Sequence, residues 1–63
     1  MSYQSVRLLK IAEAAQRLGI STTTCYEMTA KGELPRVRIR SAVRVPESAL
    51  DRWIEDHTER GPA

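Results

Sequence analysis

The sequence predicts a small, mainly α domain carrying one β-hairpin, and three stretches predict it. An amphipathic run from Ile11 closes on Leu18-Gly19. A second helical run restarts at Ile20-Ser21 and stops at Gly32-Glu33-Leu34-Pro35. Arg36-Val37-Arg38-Ile39-Arg40 then alternates basic and β-branched residues at the period of a strand.

Residues 1–7 are polar and read as a flexible N-terminal arm, with Val6 and Leu8 expected to tuck against the body. Ile11, Ala14, Ala15 and Leu18 keep the i, i+3, i+4, i+7 spacing of a buried helical stripe, with Glu13, Gln16 and Arg17 on the other face. Gly19 supplies the positive φ that closes such a helix. Ser21 is placed to cap the second helix, and Ile20 and Cys25 sit where an apolar staple fixes its entry angle. Cys25 and Met28 should face inward near Leu18 and Ile20, leaving Thr22, Thr23, Tyr26, Glu27 and Ala30 outside. Consecutive threonines are poor interior helix formers, but at a helix start their hydroxyls can serve backbone amides and a phosphate.

Gly32 ends this helix, Leu34 offers an apolar anchor and Pro35 forbids continuation. Val37 and Ile39 then alternate with arginines, and Val43-Arg44-Val45 reads as the return strand, leaving Arg40-Ser41-Ala42 near the tip. A lone hairpin is barely stable in water, so its valines are expected to pack on the helices, with Arg36, Arg38, Arg40 and Arg44 together on its polar face. Pro46-Glu47-Ser48 opens the last helix, whose inner stripe is traced by Ala49, Leu50, Trp53, Ile54 and His57. The expected organisation is an arm over 1–7, one domain over 8–57 and a disordered tail over 58–63. Helix, tight turn, helix and basic hairpin make up a winged helix-turn-helix.

Composition narrows the function. Sixty-three residues make one small domain, and a chain this short buries only about 60% of its unfolded surface. Its hydrophobic fraction of 41% beside 29% charged residues fits a globular domain. No apolar run approaches a membrane span, the start lacks a signal peptide, and one cysteine cannot form an internal disulfide. The cytoplasm is the expected setting. Residues 1–44 carry eight Lys or Arg against three acids, whereas 45–63 carry two Arg against five acids. The basic part should attract a polyanion and the acidic end should point elsewhere. Chance segregation on a solvated surface is the bland alternative.

Two groups of residues carry the candidate chemistry. The N-terminal residues of the second helix of a helix-turn-helix touch base edges in the major groove, which singles out Ser21, Thr22, Thr23, Tyr26 and Glu27. Threonine can meet several base edges or pack its methyl on thymine, and Glu27 can accept from cytosine N4. The alternatives are a half-buried core role for Tyr26 and an i, i+4 pair with Lys31 for Glu27. The hairpin supplies Arg36, Arg38, Arg40, Ser41 and Arg44, suited to phosphates and a narrow minor groove. Charged protection of an open sheet edge is the competing reading, although such protection would work as well with mixed charge. Trp53 reads as a core plug beneath the wing, Cys25 as a small buried apolar residue and His57 as a surface or rim residue. No metal site, cofactor loop or catalytic triad can be assembled from one His and one Cys, so an enzyme is not expected.

The runs L-L-K-I-A-E-A-A-Q-R-L-G-I-S, Y-E-M with G-E-L-P, and V-R-I-R-S-A-V-R-V-P-E-S-A-L-D-R-W-I resemble the excisionase (Xis) family of MerR-like winged-helix DNA-binding proteins over about residues 8–55. The resemblance implies a non-catalytic recombination directionality factor of a temperate phage or other integrated element. Such a protein binds repeated sites at an attachment region, associates cooperatively with itself on DNA, bends the double helix and directs a tyrosine integrase toward excision. AlpA-like or MerR-like transcriptional regulators share the fold and are the alternative; the short chain favours the excisionase. A protein-interaction module docking through its acidic last helix is the third class. Three positions depart from the family: Lys10 stands where Ser or Thr usually caps the first helix, Glu27 where Arg is frequent, and Ser41-Ala42 where the wing tip often carries Gly or paired basic residues. The first helix is therefore expected to start without a good cap.

Overall fold

The computed structural model describes residues 7–59 and 61. In chain order they form β1 (Leu8–Leu9), α1 (Ile11–Leu18), α2 (Thr22–Ala30), β2 (Val37–Ile39), β3 (Ala42–Pro46) and α3 (Glu47–Asp56). The expected arm and tail lie outside the described residues except for Arg7, Thr58, Glu59 and Gly61, and Val6 lies outside them altogether.

Both helices of the helix-turn-helix end in the same way. Gly19 and Gly32 adopt φ of 72° and 80°, which lets the chain fold back on the last turn. The amides of Gly19 and Ile20 donate to the carbonyls of Gln16 and Ala15, and those of Gly32 and Glu33 to Thr29 and Met28. These are paired Schellman bonds, satisfying carbonyls that a helix end otherwise leaves bare. At the start of α1 Lys10 has no side-chain acceptor, but its backbone amide donates to Glu13 Oε1 at 2.9 Å. The helix is thus closed from within by its own third residue, which answers the missing Ser or Thr. Ser21 caps α2 as expected: its hydroxyl oxygen accepts from the Thr24 amide at 3.1 Å.

The strands form an antiparallel sheet of order β1-β3-β2. β1 pairs Leu8 with Pro46 and Leu9 with Val45, and the Arg7 carbonyl accepts from the Glu47 amide at 2.7 Å. One short strand therefore caps α3, whose N-cap Pro46 has no side chain for the task. The core is small: Leu9, Ala14, Ala15, Cys25, Leu34, Val45 and Leu50 are buried, with Ile11, Leu18, Ile20, Met28 and Trp53 packed around them.

Three expectations are corrected. Leu9, not Leu8, tucks into the core; Leu8 is on the outward side of β1 and exposed. Ile54 belongs to the exposed surface of α3 rather than its inner stripe, and His57, also exposed, is the C-cap beyond its last turn. The third correction concerns the hairpin. Val37 and Ile39 are exposed, Ile39 to 48%, whereas Val45 is buried and Val43 half-buried. The two-residue turn Arg40–Ser41 pairs Val37 with Arg44, Arg38 with Val43 and Ile39 with Ala42. Opposed residues share a face, so this register puts Val37 and Ile39 with Arg44, and Arg38 with Val43. The four arginines therefore do not share one face. The alternation was right, but the turn length reversed which side of β2 looks inward.

Candidate nucleic-acid interface

α2 presents the face expected of it. Thr22, Thr23, Tyr26, Glu27 and Ala30 are exposed, and their three- and four-residue spacing makes one continuous strip. Tyr26 is 59% exposed, which removes the core reading of that ring. No ion pair joins Glu27 to Lys31 among the described residues, so the Glu27 carboxylate faces water. Ser21 is committed to its cap, accepting from the Thr24 amide and donating its hydroxyl to Thr24 Oγ1 at 2.9 Å. The first turn of α2 contains no acid, so nothing of its own offsets the partial positive charge at that end. Such a helix start suits an anion.

The wing lies beside this strip. Tyr26, Thr29 and Ala30 of α2 and Arg36, Arg38 and Val43 of the hairpin line one cleft of about 360 Å³. The side chain of Arg38 makes no hydrogen bond or ion pair with another described residue, and neither does that of Arg40 at the tip. Arg44 donates to the Val43 carbonyl at 3.0 Å, a contact that leaves most of its fork available. Arg40 adopts φ of 56°, the one described residue other than glycine in the left-handed region. Arg36 differs from the rest: its Nη1 donates to the Thr29 carbonyl in the last turn of α2.

Two structural residues, Thr29 and Arg17, escaped the sequence. Thr29 is buried, and its hydroxyl donates to the Cys25 carbonyl at 2.6 Å. Burial pushes the Cys25 thiol up, with a smaller opposing effect from its hydrogen bond to Thr29. Arg17 reaches from α1 to Glu47 Oε2 at 2.5 Å and Asp51 Oδ1 at 2.8 Å, fastening α3 and neutralising part of its acidic surface. Trp53 is half-buried and donates Nε1–H to the Glu33 carbonyl at 2.9 Å, which ties the loop before the wing to α3. His57 is exposed and stacks on Trp53 with ring centroids 4.1 Å apart. Among the described residues no three His, Cys, Asp or Glu side chains could hold a metal ion, and no helix is long and apolar enough to cross a membrane.

A "Probable excisionase" from Saccharopolyspora erythraea is 43% identical over 44 residues, covering 70% of this chain and 45% of that protein. The chain thus spans less than half the length of this relative. No solved structure matches. The helix-turn-helix domain family matches residues 8–58, which contain α1, α2, the wing and α3 in full. The chain belongs to the helix-turn-helix domain family.

Proposed function

We propose that this chain is an architectural DNA-binding protein of the excisionase kind, which sets α2 in a major groove and the β2–β3 wing on the adjoining backbone and minor groove. The observation that carries the reading is the cleft shared by Tyr26 and Ala30 of the exposed α2 strip and by Arg38 of the wing, whose guanidinium has no partner among the described residues. Thr22, Thr23, Tyr26 and Glu27 meet base edges, while the helix start capped by Ser21 faces a phosphate. Arg38, Arg40, Ser41 and Arg44 hold the backbone and enter the narrow groove. The similarity to the probable excisionase supports the recombination role. No part of this role needs catalysis by the chain itself.

A module this small contacts only about 600–1,000 Å² of protein surface on DNA, so several copies on adjacent direct repeats supply the specificity that one lacks. The bent array presents the attachment site to a tyrosine integrase, and the acidic α3 around Asp51, Glu55 and Asp56 is the surface turned toward it. A promoter-bound regulator would use the same interface. Gel shifts on attachment-site repeats should give successive complexes with increasing bend, and the cognate integrase should excise only when the chain is added. One complex on unbent DNA, with excision unaffected, would contradict the proposal.

A further inference from the structure

We infer that Arg36 is a positioning residue, which locks the wing at a fixed angle to α2, and not a ligand of DNA. The inference rests on the reading of the α2–wing cleft as the DNA surface. Strand alternation places Arg36 on the same side as Arg38, facing α2. Only Arg36 reaches back, donating Nη1–H to the Thr29 carbonyl seven residues earlier.

The acceptor is well chosen. α2 has no basic residue in its last turn, so the partial negative charge at that end lacks a counterpart of its own apart from the C-cap Lys31. The guanidinium of Arg36 supplies one from the far side of the loop. Thr29 is 1% exposed and its hydroxyl is fixed on the Cys25 carbonyl, so the acceptor sits on a rigid part of the helix. A Cβ on Gly32 would lie 3.8 Å from Arg36 Nη1, at ordinary van der Waals distance, so the fork lies against the Schellman turn. Between the two ends Leu34 is buried and the Glu33 carbonyl is held by Trp53. The loop is therefore pinned at Glu33, Leu34 and Arg36, and the third pin is the one joined directly to β2.

A guanidinium carries five N–H donors, so spare ones could in principle reach a phosphate. Salt dependence separates the roles. A lost phosphate contact flattens the plot of log affinity against log salt by about one unit, whereas lost positioning lowers affinity equally at every salt. Wild type and Arg36→Ala should be titrated on the same attachment-site duplex from about 50 to 200 mM salt, alongside amide exchange of the free proteins. Parallel lines about tenfold apart are expected, roughly the worth of one charge-assisted hydrogen bond, with faster exchange of the Gly32 and Glu33 amides in the variant. Arg36→Gln, which keeps a donor but no charge, should recover part of the affinity, and it serves if Arg36→Ala does not fold. A shallower line for either variant makes Arg36 a phosphate ligand and overturns the inference. Affinity equal to wild type makes it a purely structural contact and overturns it too. If wild type binds no duplex, the interface reading fails, while unchanged exchange in Arg36→Ala would separately show that Arg36 does not hold the turn.

Discussion

Arg40 carries a backbone cost that its neighbours do not. Its φ of 56° lies at the first position of a two-residue hairpin turn while Ser41 stays on the negative side. Hairpin turns with positive φ at that position favour glycine. For an L-residue the left-handed region costs about 1–2 kcal/mol, against about 0.5–1 kcal/mol of extra unfolded-state freedom that glycine would bring. Arg40→Gly should therefore stabilise the fold by about 0.5 kcal/mol and raise Tm by about 2–4 °C, while weakening DNA binding. A thermal melt paired with a gel shift checks both signs, and a lower Tm would refute the strain argument. Cys25 gives a second expectation at this scale. Burial raises its thiol above the ordinary value of 9.0, against the weaker lowering effect of Thr29. The folded state then holds its proton more tightly than the unfolded state, so the thiol's contribution is complete below pH 9.0 and is lost as pH rises above it. Wild type should lose more stability than Cys25→Ala between neutral and strongly alkaline pH, as read from urea midpoints.

The elements owe their boundaries to local chemistry, which is why most were legible in the sequence. Gly19, Ser21 and Gly32 act within a turn of where they stand, and each ends or starts a helix where expected. Ser21→Ala should cost about 1 kcal/mol by freeing the Thr24 amide, measured by denaturant unfolding. β1 was not legible, since two residues cannot show a period and their partner, β3, is far along the chain. The inward side of β2 was not legible either, because a turn of two residues rather than three decides whether Val37 opposes Arg44 or Val45. Arg17 and Glu47 lie 30 positions apart, beyond any spacing rule. That pair and its Asp51 partner are substantially solvated, so they contribute orientation between α1 and α3 more than stability. The exposed strip of α2 was legible in part: Cys25 and Met28 mark the inner side, but a core role for Tyr26 stayed open until the fold exposed its ring. The Arg36 contact did not, because it depends on how the Gly32–Pro35 loop turns.

The whole molecule combines a small core with a divided charge. Eight Lys or Arg against three acids precede residue 45, and five acids against two Arg follow it. α1, α2 and the wing fall in the basic part, and α3 in the acidic part, clasped from α1 by Arg17. A long-range field of this kind draws the wing side to a polyanion and turns α3 away from it. DNA should also stabilise the fold, since a ligand that binds only the native state adds to its stability by mass action. The central claim is that the exposed strip of α2 and the wing arginines form one DNA-binding surface. It is tested most directly by titrating wild type, Arg38→Ala and Arg40→Ala onto one attachment-site duplex across a salt series. The expected result is wild-type affinity falling steeply with salt, and each variant binding more weakly with a slope shallower by about one unit. Binding by both variants indistinguishable from wild type, or no binding by wild type at about 50 mM salt, would contradict it.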